Sequence, residues 1–438
     1  MMRFIHLLSI GITFILFMSC STPRKTTSAV EPSTAPKPPV SVVSVPTEEI
    51  FLTNLLKSHH QKMGDILANV KMLNAQIVYT QVDRSKSGIP VLTHHYFNTA
   101  HNDYFYPAST VKFPIVLLAL EKLKELNIAG LDKNNKMITE AAYSGQTAVY
   151  NDPNTADGNP SIASYIKKIL LVSDNDASNR LYEFLGQDYI NTKLKQKGYN
   201  SAEILHRLGI SLTADENKHS NPVKFYDSSN RLLYEQPLKK ATRIYPERKN
   251  FIGKGYFSNG KLVESPMDFS SKNSISLTDL HEMMIAVIFP ASVPANKRFN
   301  ISEDDRLFVL QYMSQYPRET LYPDYDATYY DAYAKFLLFG TQEGNLPPHI
   351  RLFNKVGNAY GQLTDVAYIV DFEKKIEFFV SATIYCNSDG ILNDDKYDYE
   401  TIGYPFLKNL GILLHDVELK RKRNHLPDLS SLQFTYDK

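Results

Sequence analysis

Apolar side chains first recur at helical spacing at Ile50, Leu52, Leu55, Leu56, Met63, Ile66, Leu67 and Val70. Thr47-Glu48-Glu49 stands before them and opens a helix with acidic residues in its first turn. Two runs of β-formers follow, Ala75–Val82 and Val91–Asn98, separated by the turn-prone Asp83-Arg-Ser-Lys-Ser-Gly88. A long apolar, helix-forming run extends from Phe113 to Leu126, and helical periodicity returns at Ser161–Val172, Asp176–Leu185, Tyr189–Lys197 and Leu277–Ile288. Toward the C-terminus the period falls to that of strands, at Ile350–Lys355, Leu363–Phe372 and Ile376–Tyr385. The last of these is almost continuously apolar, as a strand covered on both faces must be. A closing helix spans Tyr399–His415.

Helix, two strands, helical block, three strands, helix: the simplest assembly is an α/β fold with one five-stranded antiparallel sheet. The sheet carries the terminal helices, and a helical subdomain is inserted between strands two and three. Residues 48–415 form this domain and 416–438 a polar C-terminal tail. The stretches 210–275 and 290–348 lack periodic apolar runs, are rich in Tyr, Pro, Asn and Ser, and read as insertions or lids.

Residues 1–20 carry Arg3 and then an apolar run, Leu7–Met18, too short for a transmembrane span, which is the pattern of a secretory signal. The run ends in Phe17-Met18-Ser19-Cys20, which resembles a bacterial lipobox and implies cleavage before a lipidated Cys20; an uncleaved N-terminal anchor is the alternative. Both place the body outside the cytoplasm, on a membrane of the cell envelope. Residues 21–47, rich in Ser, Thr, Pro and Val, have the composition of a tether reaching about 30 Å. Cys386 is the one remaining cysteine, so a mature lipoprotein forms no intramolecular disulfide, and a core strand would bury that thiol. A net charge of +1 without long runs of one sign argues against nucleic-acid binding.

Candidate chemistry concentrates in three short motifs. In Tyr106-Pro-Ala-Ser109-Thr-Val-Lys112 the serine and lysine are one helical turn apart, which places hydroxyl and amine on one face at a helix N-terminus. Ser173-Asp174-Asn175 lies between two predicted helices, and Lys355-Val356-Gly357 ends the third strand. Ser-x-x-Lys, Ser-Asp-Asn and Lys-Thr-Gly, in that order, are the signature of the penicillin-recognising serine enzymes, and the chain resembles this class A β-lactamase-like family over roughly residues 48 to 415.

The resemblance implies that Ser109 attacks an amide carbonyl to form an acyl-enzyme, with Lys112 as general base. It gives Ser173 the relay of a proton to the leaving nitrogen, and Asn175 the substrate's side-chain amide and the positioning of Lys112. Lys355 would lower the pKa of Lys112 and attract a substrate carboxylate beside Gly357 and Asn358. The oxyanion hole would be the backbone N–H groups of Ser109 and Asn358.

Two departures bear on turnover. Val356 replaces the threonine whose hydroxyl helps bind a carboxylate, a bond worth roughly 1.5 to 3 kcal/mol, with Asn358 and Tyr360 as substitute donors. The Glu-x-x-Leu-Asn loop that supplies a deacylation base is missing; by position Glu216 is the candidate base, ahead of Glu203. No cofactor is called for, and neither His-Glu-x-x-His nor a Cys/His cluster suggests a metal. Three functions remain: hydrolysis of a β-lactam or related amide, a D-alanyl-D-alanine carboxypeptidase or other peptidoglycan peptidase, and a non-catalytic envelope-binding lipoprotein.

Overall fold

Ile376–Tyr385, apolar at nearly every position, is the middle strand of the principal sheet. The computed structural model describes residues 50–63, 66–99 and 103–438. The expected signal segment 1–20 with Cys20, the tether 21–47 and the helix start at Thr47 lie outside the described residues. Five strands pair antiparallel: β1 (Gln76–Arg84), β2 (Pro90–Phe97), β3 (Ile350–Ala359), β4 (Gln362–Asp371) and β5 (Ile376–Tyr385). Their order is β3-β4-β5-β1-β2, so the N-terminal hairpin joins the C-terminal meander through the β1–β5 ladder, where Tyr79 faces Val380.

Helices cover both faces. In chain order they are α1 (Ile50–Ser58), α2 (His60–Met63), α3 (Val70–Leu73), α4 (Lys112–Leu126), α5 (Ile162–Val172) and α6 (Asn175–Leu185). After these come α7 (Gln187–Gln196), α8 (Ala214–Lys218), α9 (Leu277–Ile288), α10 (Glu303–Ser314) and α11 (Tyr404–Lys420). Alternate strand residues enter opposite layers. Val78, Phe353, Val366, Tyr368 and Phe379 join the core of the helical block, whereas Ile77, Leu352, Ala367, Ile369 and Phe378 join the core under α1 and α11. α4 is buried from Lys112 to Leu123. Phe113, Ile115, Val116, Leu117, Leu118 and Leu120 give it on the order of 10 kcal/mol of gross apolar burial. That is ample to hold an amine out of water at the helix start.

Several boundaries differ from those read in the sequence, each for a local reason. The single N-terminal helix is broken after Ser58, because the Ser58 hydroxyl and His59 Nδ1 both bond the Leu55 carbonyl that the helix ladder needs. The insertion 290–348 contains a full helix, α10, capped by Ser302 and begun by Glu303, Asp304 and Asp305. It buries Val309, Leu310, Tyr312 and Met313. The insertion 210–275 is tied down by short pairings: Val223–Tyr226 lies between Lys136–Thr139 and Leu232–Gln236, and Gly255–Ser258 pairs with Lys261–Val263 and Ile391–Leu392.

The last helix starts later than expected, at Tyr404 with Pro405 in its first turn, after a wide turn at Tyr399–Gly403. The stretch 416–438, read as a polar tail, is packed instead. Glu418 is buried beneath Tyr79, Arg421 and Arg423, and Leu429 and Leu432 enter the helical core. The Tyr436 ring lies 4.5 Å from the Arg351 guanidinium. Among the described residues no helix is long and apolar enough to cross a membrane.

Candidate active site

The turn Ala108–Val111 is a single 3-10 turn that runs straight into α4, so Ser109 precedes Lys112 at the mouth of the helix. Thr110 ties it down by donating its hydroxyl and its N–H to the Pro107 carbonyl, at 2.7 and 3.0 Å. Ala108 takes a left-handed φ of +47°, a strained conformation for a residue with a Cβ. From Phe105 to Leu123 every residue is buried except Ser109, which alone is partly open to solvent.

Lys112 is fully buried. Its Nζ donates to the Asn175 side-chain carbonyl at 2.7 Å and the Ser173 backbone carbonyl at 2.5 Å, and lies 3.3 Å from Ser173 Oγ. The one-turn spacing places the Ser109 hydroxyl and the Lys112 amine on one face, and the amine's hydrogen bonds run to the second motif.

That motif is a corner between helices. Ser173 ends α5 in the left-handed conformation, φ +61°, and Asp174 caps α6 by accepting the Ala177 N–H. The left-handed turn aims both the carbonyl and the hydroxyl of Ser173 at Lys112.

Lys355 on β3 closes the ring. Its Nζ donates to Ser173 Oγ at 2.7 Å and to the Val356 carbonyl at 2.8 Å, and it is only 2% exposed. Ser173 Oγ is therefore shared by two buried lysines. Burial pushes the Lys112 pKa down to about 7, against a smaller opposing pull from the Asp174 charge. Burial also holds Lys355 well below the ordinary lysine value, and the neighbouring Lys112 charge adds to the effect.

Gly357 explains how β3 comes so close. A Cβ there would stand 2.7 Å from the Pro107 carbonyl, 2.9 Å from the Thr110 nitrogen and 3.0 Å from the Ser109 nitrogen, so only glycine fits. Asn358 follows it, exposed, where the strand passes the Ser109 turn. Val356 packs in the core under α11, its side chain 3% exposed, so the methyl that replaces a hydroxyl serves packing.

Glu216 is placed differently from its expected part. One carboxylate oxygen accepts from Thr213 N and Oγ1, closing a capping box on α8, and the other accepts from Ser144. These bonds hold its pKa below the usual carboxylate value, and it bonds none of Ser109, Lys112 or Ser173. Glu203 is ion-paired to Arg248 at 3.0 Å.

Three residues outside the motifs also build the site. His206 stacks parallel on Tyr106, Phe269 meets Tyr106 and Tyr360 edge to face, and Gly209 leaves room for the Asn175 amide. Of these only Phe269 lies in the insertion 210–275, whose Tyr-rich composition marked it in the sequence; nothing signalled His206 or Gly209.

Residues 61–402 match the model of the beta-lactamase enzyme family. The chain is similar to crystal structures of beta-lactamases from two Burkholderia species. For Burkholderia ambifaria the identity is 12% and the TM-score 0.45, covering 81% of this chain and 98% of that one. For Burkholderia phymatum the identity is 12% and the TM-score 0.47, covering 82% and 99%. A beta-lactamase from Xanthomonas campestris pv. campestris is similar at 12% identity and a TM-score of 0.43, covering 83% and 97%. No curated protein matches. With its model matched from residue 61 to residue 402, the chain belongs to the beta-lactamase enzyme family, serine hydrolases that act on amide bonds.

Proposed function

We propose that the protein forms an acyl-enzyme on Ser109 with a β-lactam or related amide and hydrolyses it, working at the cell envelope from a lipid anchor on Cys20. The observation that carries the reading is the hydrogen-bonded ring of Lys112, Ser173, Asn175 and Lys355 beside a partly open serine. A neutral lysine amine has two N–H groups and one lone pair. The Ser173 carbonyl and the Asn175 side chain take both N–H groups, which leaves the lone pair to receive a proton.

In the first half-reaction Ser109 Oγ bonds the carbonyl carbon while its proton passes to Lys112 Nζ. The backbone N–H groups of Ser109 and Asn358 take the oxyanion, a contribution of roughly 3 kcal/mol for each well-placed donor. Ser173, bridging both lysines, then hands a proton to the leaving nitrogen as the C–N bond breaks. Water attacks the ester carbonyl in the second half-reaction and restores Ser109.

A second reading rests on Glu216. Its carboxylate is engaged by Thr213 and Ser144, which leaves the attacking water without that base and favours a long-lived acyl-enzyme, as in a peptidoglycan peptidase.

Intact-mass measurement of the full-length protein incubated with a penicillin and a cephalosporin, beside Ser109→Ala, tests both. An adduct that depends on Ser109 and decays as drug is consumed is the expected result. An adduct that persists selects the peptidase. No adduct with either drug sinks the proposal.

A further inference from the structure

A cavity of about 450 Å³ opens beside the site, between the 205–218 loop and the 242–272 insertion. It lies near two of the motifs: His206, in its wall, stacks on Tyr106 three residues before Ser109, and Gly209, outside the lining but next to the lining residue Ile210, abuts the Asn175 amide. An acyl side chain held at Asn175 therefore has this cavity as its next surroundings.

Its lining has an unusual charge. Lys218, Arg243 and Lys272 all contribute, and no carboxylate does. Among the described residues none of the three side chains has an ion-pair partner; the Arg243 guanidinium donates to the Thr192 hydroxyl and lies 5.6 Å from the Tyr245 ring. Two acids lie nearby without lining the cavity. Asp188 accepts the backbone N–H groups of Thr242 and Arg243, and Asp215 pairs with Lys240. Lys272 is half-buried; burial lowers the His206 pKa to about 4 against the opposing bond to the Arg207 carbonyl, and the Lys272 charge adds a smaller push in the same direction as burial. A concave wall of one sign concentrates counter-charge from solution.

Two further features describe what would fill it. Ile210 and Ile244 stand at the rim with 49% and 91% of their surface exposed, an apolar lip that water covers poorly. At the wall, His206 Nδ1 is occupied by the Arg207 carbonyl, and its buried Nε2 has no partner. With Nδ1 as the donor, Nε2 is an acceptor shielded from solvent, which an amide N–H reaching the ring edge would satisfy.

Resting on the acyl-enzyme reading above, we infer that this cavity binds the acyl side of the substrate and selects an amide-linked chain with an apolar stem that ends in a carboxylate. The preferred substrate then carries two anions, one near Lys355 and one among Lys218, Arg243 and Lys272.

The test follows acylation of Ser109 in the full-length protein by intact mass with two cephalosporins. They differ only at the far end of the acyl chain: a glutaryl group ends in carboxylate, a pentanoyl group of equal length in methyl. The glutaryl compound is expected to acylate about tenfold faster, the worth of one charge-assisted contact. Exchanging both Arg243→Gln and Lys272→Gln should bring the ratio to about one, while Lys272→Arg keeps it; melting temperatures confirm that each variant is folded. Equal rates in the unmodified protein, or a preference that survives the double exchange, overturn the inference and leave the Ser109 chemistry standing. If neither compound forms an adduct, the acyl-enzyme reading fails instead. Calorimetry of the glutaryl compound with Ser109→Ala protein then decides for the pocket: binding lost in the Arg243→Gln, Lys272→Gln background supports it, and binding absent or unaffected overturns it.

Discussion

Lys112 owes its chemistry to where its nitrogen is held. A lysine works as a base only in its neutral form, and burial brings its pKa to about 7. Acylation of Ser109 should therefore rise about tenfold per pH unit below 7 and level off above it, as read by stopped-flow acylation with a chromogenic cephalosporin. Lys112→Arg, which keeps its charge throughout, should lose roughly 100-fold or more. The same shift acts on stability with a definite sign. Between about pH 7 and the unfolded lysine value the unfolded chain binds more protons, so the contribution of Lys112 to stability rises with pH across that window. The sequence places Ser109, Lys112, Ser173, Asn175 and Lys355 in three short motifs, and the fold joins Lys112, Ser173, Asn175 and Lys355 in one hydrogen-bonded ring. The resemblance also implied Asn175 as the group that positions Lys112, and the amine donates to it; the Ser173 carbonyl, its other acceptor, was not legible, since a left-handed turn sixty residues downstream presents it. Glu216 misled for the same reason: position along the chain says nothing of Ser144, which lies near it only once folded.

The elements were read well where burial on both faces or one face dictates the period. β4, β5 and α9 fall within a residue of their expected limits, while the missed α10 had its signal, a serine cap ahead of three acids, hidden in a polar stretch. What periodicity could not show is how closely two elements approach. Gly357 is the point where β3 meets the Ser109 turn, and the atoms that a Cβ would strike are backbone, which cannot swing aside. Gly357→Ala should thus push strand and turn apart. We expect a loss of about 1 to 3 kcal/mol in stability by urea denaturation. Acylation should fall by more than tenfold in the folded variant, because a displacement of a few tenths of an ångström at the proposed oxyanion donors, Ser109 and Asn358 N–H, is amplified in the transition state.

Across the whole molecule, the sequence pattern was enough to give the five-stranded sheet and the inserted helical block, but not the ties that bind the ends and insertions. Those ties join residues far apart in the chain, such as Tyr436 with Arg351 and Ser314, or Lys438 N–H with the Glu319 carbonyl. Deleting residues 425–438 removes Leu429 and Leu432 from the helical core and should cost about 3 to 6 kcal/mol, read as a lower midpoint in thermal unfolding. The ladder between β1 and β5 has a further consequence, in time. Gln76 pairs with Thr383, about 300 residues later, so the first hairpin waits for nearly the whole chain before it gains its neighbour. Lys355 reaches Ser173 only on a sheet that this pairing completes. Ser109, Lys112 and Ser173 are all synthesised early, yet their ring closes in one late event, and anything that delays the C-terminal strands delays the proposed activity as a whole.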